Sequence, residues 1–317
     1  MTMKAMTTKA MTMKTAIITG AGAGLGLECA RAVLETDPSW HVVLAVRNPA
    51  RGAEAVALLG APDRCTVIEV DLASLASVHT FVQNVRAATE LPPIHAVVCN
   101  AGVQVISGTQ TTVDGFEQTF GVNHLGHFAM VQGLLDTGGL TPPARIVVVS
   151  SGTHDPSKHT GMPKPRYTTA LDLAQLQAGP DESSVDAGRR RYTTSKLCNV
   201  LFAYELDRRL EHGGQGITVT AFDPGLMPGS GLARDYPPLQ RLAWRYVLPA
   251  LRFLPEVRST RTSGRYLAAL TADPRFDGVT GTYFAGRKPT RSSVDSYDRE
   301  KALDLWETSE RLQTPVP

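Results

Sequence analysis

Seven short β-branched runs punctuate the chain, and between them lie stretches in which apolar residues recur at three and four positions. The runs are TAIIT (15–19), HVVLAV (41–46), TVIEV (66–70), HAVVC (95–99), RIVVV (145–149), TVTAF (218–222) and TYF (282–284). The helical patterns fall near 25–35, 50–59, 74–89, 115–135, 192–211, 260–272 and 299–312. A strand, a helix and a second strand in that order pack as one βαβ unit, and repeated units feed a parallel sheet. The expected fold is α/β: one doubly wound sheet of seven parallel strands with helices on both faces.

At 317 residues, with 42% apolar and 20% charged side chains, the chain can bury one ample core. A single domain over 14–317 is expected, preceded by a disordered leader over 1–13 that repeats a Met-Thr-Lys theme without an export signal's apolar stretch. Lys plus Arg total 32 and Asp plus Glu total 30, so the formal charge of +2 gives no field strong enough for a nucleic-acid backbone. No apolar run is long enough to span a membrane. Cys29, Cys65, Cys99 and Cys198 form neither a CxxC pair nor a zinc pattern, which predicts free thiols and a cytoplasmic protein. Two long segments interrupt the rhythm, an insertion over 152–191 and a lid-like stretch over 226–258.

The first strand runs into Thr19-Gly20-Ala21-Gly22-Ala23-Gly24-Leu25-Gly26, which opens a helix. Glycines let a backbone approach a pyrophosphate, and the helix N-terminus offers it unpaired N–H groups. The strand–turn–helix context makes this a Rossmann-like dinucleotide site. An NAD site places an acid after the second strand, whereas this chain has Arg47. A guanidinium suits a 2′-phosphate and so favours NADP(H); the bland alternative is a solvated surface arginine.

The spacing Thr-Gly-x3-Gly-x-Gly resembles the short-chain dehydrogenase/reductase family, and that family's further markers follow in order. They are Asp71-Leu72, Asn100-Ala101-Gly102, Asn123, Ser151, Tyr192-Thr193-Thr194-Ser195-Lys196 as YxxxK, and Pro224-Gly225. The wording of HVVLAVRN, GFEQTFGVNHLGHF, SKLCNVLFAYEL and YFAGRKP resembles the light-dependent protochlorophyllide oxidoreductase branch, with retinol-dehydrogenase-like enzymes as cousins. The resemblance implies that Asp71 and Leu72 hold the adenine, that Asn100, Ala101 and Gly102 line the cofactor, and that Pro224, Gly225 and Met227 close on the nicotinamide. It implies Asn123, Ser151, Tyr192 and Lys196 as the catalytic tetrad, with Lys196 also on the nicotinamide ribose. It further implies that copies pair through the helices carrying Asn123 and Tyr192, unless an insertion blocks them. Two departures stand out: Leu226 occupies the branch's pigment-pocket cysteine, and Gly229 and Ser230 replace its threonines.

Tyr192 and Lys196 are spaced i and i+4, so both reach one face of a helix, where an ammonium favours the phenolate. Tyr192 is then a proton donor for reduction, and Ser151 a hydrogen-bond donor to the substrate oxygen. His124 and His127 form an HxxH without a carboxylate or cysteine at ligand spacing, and no metal site is expected. The apolar LQRLAWRYVLPALRFLP (239–255) suits a lid over a bulky substrate, and the same composition suits peripheral contact with a membrane. The expectation is an NADPH-dependent reductase of a bulky, apolar, polycyclic small molecule, monomeric or homo-oligomeric, working by carbonyl reduction in darkness. Light-dependent protochlorophyllide reduction and a non-catalytic NADP(H) sensor are the alternatives.

Overall fold

The computed structural model describes residues 12–106, 108–176, 182–213, 216–227 and 258–313. The leader, apart from residues 12 and 13, and the lid, apart from 226, 227 and 258, lie outside them, as do Gly229, Ser230 and the segment 239–255. Strands β1 (Lys14–Thr19), β2 (Trp40–Val46), β3 (Cys65–Glu69), β4 (Ile94–Cys99), β5 (Ala144–Val149), β6 (Ile217–Asp223) and β7 (Thr282–Ala285) start and end within one residue of the β-branched runs. β-branched side chains have few rotamers to lose on a pleated surface, which is why these runs settle as strands.

The sheet order is β3-β2-β1-β4-β5-β6-β7-β8. The seven expected strands are parallel, and an eighth, β8 (Lys288–Pro289), adds an antiparallel edge that the sequence did not announce. Two residues carry no periodicity to read, and Pro289, lacking an N–H, suits a sheet edge. The order reverses between β1 and β4, so the loops that follow the strands diverge there and leave a crevice at the carboxyl edge.

Alternation along the strands divides the core between the two faces of the sheet. One face gathers Ile17, Val97, Ile146 and Val219 with Phe81, Phe128 and Phe202 from α3 (Leu75–Ala87), α5 (Gly126–Asp136) and α7 (Val185–Gly213). The other gathers Ile18, Leu44, Val98 and Phe222 with Val33 and Leu267 from α1 (Gly24–Thr36) and α8 (Thr260–Ala272). Helix α2 (Pro49–Leu59) is capped by Asn48, whose Oδ1 accepts from the Ala50 and Arg51 N–H groups.

The helical stretch expected over 115–135 begins at α4 (Gln118–Phe120), where Glu117 caps the Phe120 N–H, and passes through one π turn, Gly121–Leu125, into α5. Helix α7 starts at Val185, seven residues before the expected point, because Ser184 caps it and Gly188 permits close packing. A Cβ on Gly188 would stand 2.4 Å from the Val105 carbonyl oxygen. The insertion therefore ends at Ser184, and it holds a short helix of its own, α6 (Ala170–Ala174).

Every residue from Tyr192 to Asp207 on α7, and every residue from Thr119 to Val131 through α4 and α5, is buried. The enclosing element is α9 (Arg299–Gln313), whose Trp306 ring lies 5.0 Å from Phe128 and 6.2 Å from Phe202, with the Arg209 guanidinium over it. Ser309 bonds His124 Nε2 (2.9 Å), and Asp304 accepts from Tyr167 Oη and the Ala170 N–H. Among the described residues no helix is long and apolar enough to cross a membrane.

Candidate active site

The glycine-rich turn leaves β1 at Thr19. Gly20 (φ +68°) and Gly24 (φ +58°) occupy the left-handed region, where a side chain is strained. Gly26 is required by contact: a Cβ there would stand 2.6 Å from both Asn100 Nδ2 and the Gly20 carbonyl oxygen. Gly22 differs, because its Cβ would meet nothing closer than Val46 Cγ1 at 3.5 Å. Neither the protein's own packing nor a positive φ demands glycine at 22, so the position is open to a ligand's approach. Leu25, beside it, is buried.

Thr19 Oγ1 accepts the Asn100 and Ala101 N–H groups (both 2.9 Å), and Asn100 Nδ2 donates to the Thr19 carbonyl (2.7 Å). The Asn100 side chain is thus spent on joining β1 to β4. His127 Nδ1 donates to the Asn123 carbonyl (3.2 Å), which leaves Nε2 to accept from Thr19 Oγ1 (2.9 Å). Arg47 follows β2, is exposed, and makes no ion pair among the described residues. Asp71 is half-buried after β3, with Oδ1 accepting from the Ala73 N–H (3.0 Å), and Leu72 packs beneath Gly126.

Around the opposite loops the polar groups close on one another. Asn123, in the π turn, uses Oδ1 to accept from the Val103 N–H (2.7 Å) and Nδ2 to donate to the Val103 carbonyl and Ser195 Oγ (both 2.9 Å). A Cβ on Gly102 would lie 3.3 Å from Asn123 Oδ1 and 3.6 Å from Lys196 Nζ, so that glycine sits against both. Lys196, 4% exposed, donates to the Val149 carbonyl (3.2 Å), and its Nζ lies 5.6 Å from the Tyr192 ring centroid. Burial pushes its ammonium down to about 8, against the opposing pull of the Asp223 carboxylate. Ser195 Oγ donates to the Tyr192 carbonyl (2.7 Å), and Tyr192 is itself buried.

The two serines that end β5 are distinct. Ser150 is buried and donates to the Lys196 carbonyl (2.7 Å), so its hydroxyl is engaged in structure. Ser151 is half-buried and extended, and its Oγ accepts the Thr153 N–H (3.3 Å) in capping the turn Gly152–His154. Gly225 (φ +79°) turns the chain after β6, its N–H held by Asp223 Oδ1 (2.9 Å), while the Pro224 carbonyl accepts from Ser263 Oγ (2.7 Å). Met227 is half-buried and Leu226 is 41% exposed.

The two histidines of HxxH face different partners, Ser309 for His124 and Thr19 for His127, and burial holds their imidazoles down at about 3 and about 4. Cys29, Cys99 and Cys198 are buried, and desolvation pushes their thiols up. Sequence reasoning missed Asp223, His154 and Asn199, whose Nδ2 also donates to the Val149 carbonyl (2.9 Å). Only Asp223 carried a local signal, its place immediately before Pro224-Gly225.

The sheet reverses its order between β1 and β4, the glycine-rich turn leaves β1 there, and Tyr192 and Lys196 form a buried pair on α7. Residues 14–163 match the short chain dehydrogenase family. Protochlorophyllide reductase B of Oryza sativa subsp. japonica is 36% identical over 94% of this chain and 77% of its own. The WW domain-containing oxidoreductase of Danio rerio is likewise 36% identical, over 94% of this chain and 68% of its own. Among solved structures, a protein from Mycobacterium paratuberculosis is similar with a TM-score of 0.69 and 29% identity, covering 94% of this chain and 92% of that one. The RhlG/NADP active-site complex of Pseudomonas aeruginosa shares the fold, with a TM-score of 0.60, 19% identity, and coverage of 86% and 94%. The chain belongs to the short-chain dehydrogenase/reductase family and is an oxidoreductase.

Proposed function

We propose that the protein is an NADPH-dependent reductase that acts in darkness on a bulky, apolar carbonyl compound, with Tyr192 as proton donor. The observation that carries this reading is the buried Tyr192–Lys196 pair, 5.6 Å from ring to ammonium, with Lys196 bonded to the end of β5, after which comes the half-buried Ser151. NADPH bound along the glycine turn would supply the hydride. Gly22 and Gly24 leave room for its pyrophosphate, and Arg47 offers an exposed guanidinium to a 2′-phosphate. Asp71, Leu72, Ala101, Gly102, Pro224, Gly225 and Met227 would line it.

Lys196, charged below about pH 8, lowers the energy of the Tyr192 phenolate and so eases release of the phenolic proton to the substrate oxygen. Ser151 Oγ would donate a hydrogen bond to that oxygen as negative charge grows on it. Asn123 holds the Lys196 helix to the loop after β4 through Ser195 and Val103.

A second reading is light-driven reduction of protochlorophyllide, favoured by relatives that carry that name at 36% identity. Leu226, at the position of that branch's cysteine, favours the dark reaction. Purified protein with NADPH is mixed in darkness with a panel of bulky ketones and aldehydes, and separately with protochlorophyllide before and after a flash. Dark oxidation of NADPH by a ketone supports the first reading. A pigment band that changes only after the flash, with no ketone turned over, replaces it with the second.

A further inference from the structure

We propose that His154 is a positioning residue for Ser151, tying the substrate-binding hydroxyl to the C-terminal segment after β8. The inference rests on the reading of Ser151 given above. His154 is fully buried, and its ring is satisfied on both sides by neighbours that fix the tautomer. Nδ1 donates to the Ser151 carbonyl at 2.6 Å, alongside the His154 N–H at 3.1 Å. Nε2 has no proton left and accepts the Ser293 N–H at 3.1 Å.

Two donors on one carbonyl set the orientation of the Ser151 peptide, and with it the direction from which Oγ leaves the backbone. On the other side of Ser151, Ser150 is fixed by its bond to the Lys196 carbonyl and by its N–H to the Phe222 carbonyl. Ser151 thus hangs between an anchored neighbour and an anchored carbonyl. The far anchor of His154 is itself braced: Ser292 Oγ bonds Tyr204 Oη (2.8 Å) on α7 and Ser296 Oγ (2.6 Å), and Ser296 Oγ donates to the Ser293 carbonyl (2.6 Å). The His154 imidazole therefore links the C-terminal segment to the Ser151 peptide.

The ring needs its neutral form, because a second proton would oppose the Ser293 N–H. Burial holds its pKa below the ordinary imidazole value, against the pull of Asp223 from β6 and of Asp155, and with Lys158 in the same direction as burial. The Tyr283 ring on β7, 5.0 Å away, closes the remaining side.

The test compares H154A and H154N with the full-length protein. The asparagine amide overlays Nδ1 and keeps a donor to Ser151 but does not reach Ser293. The expected result is that H154A loses turnover about 10- to 100-fold with NADPH affinity unchanged, and H154N recovers most of it. A folded H154A within twofold of the parent, or H154N no better than H154A, overturns the proposal. Amide hydrogen exchange of peptides covering 150–156 and 290–297 is read in parallel and needs no substrate. Exchange rises in both peptides of H154A; unchanged protection at 290–297 refutes the link even if no ketone is ever reduced. Failure of the functional reading shows instead as an inactive parent.

Discussion

The loops after β1 and β2 and the loops after β4, β5 and β6 lie at one edge of one sheet, yet they treat their polar groups in opposite ways. After β1 and β2 the chain leaves space: Gly22 and Gly24 have no protein atom within 3.4 Å of a would-be side chain, and Arg47 stands in solvent. After β4 to β6 the polar groups are buried and mutually bonded, as Asn123, Ser150, His154, Lys196 and Asn199 each show. A nucleotide can be accommodated by backbone that waits for it, whereas proton transfer requires side chains already fixed before substrate arrives. On the proposed function the first region would be completed by its ligand, whereas the second is already bonded within itself.

That contrast can be broken most strongly at Tyr192. Tyr192→Phe keeps the ring and loses the proton, so turnover should fall by roughly 10³-fold while NADPH affinity, measured by fluorescence titration, stays put. Activity near that of the parent would remove the phenol from the mechanism. Next in size is Gly26→Ala, whose Cβ would meet the Gly20 carbonyl oxygen at 2.6 Å. Overpacking of this kind costs about 2–3 kcal/mol, readable as a lower urea midpoint in protein without cofactor. An unchanged midpoint would mean that the turn has more play than its contacts allow.

Acid should attack the self-complete region. His124 and His127 titrate near 3 and 4 when folded and near 6.5 when unfolded, so the unfolded chain binds more protons between those values. Their contribution is present above pH 6.5 and is lost as pH falls toward the folded values, at on the order of 2 kcal/mol per pH unit for the pair. Urea midpoints at pH 7, 6 and 5 measure it, and a flat series would mean that water reaches both rings. The smallest effect is the sharpest comparison. Gly22→Ala should leave the urea midpoint unchanged and weaken NADPH binding about tenfold, because only a ligand needs that space. Equal affinity would make the turn a structural bend.

Most of the sheet was legible from residue type alone, because β-branched runs such as HVVLAV and RIVVV leave few conformations besides a strand. The YxxxK spacing and the glycine turn were legible because each acts over a few residues. What escaped reading depends on distant partners. Nothing near His154 names Ser293, 139 positions away, and nothing in NHLGHF says that one histidine meets Thr19 and the other Ser309. Gly188 and the arginines beside it read as loop, since the close approach of Val105 that makes glycine necessary is a tertiary fact.

The enclosure of α5 and α7 bears on how copies of the chain can meet. Helices that present a matching face to a twofold mate must keep that face outside, and here Trp306 packs on α5 and α7 and Ser309 bonds the π turn between α4 and α5. A partner docking on these helices at the place α9 covers would first have to displace it and uncover an aromatic cluster.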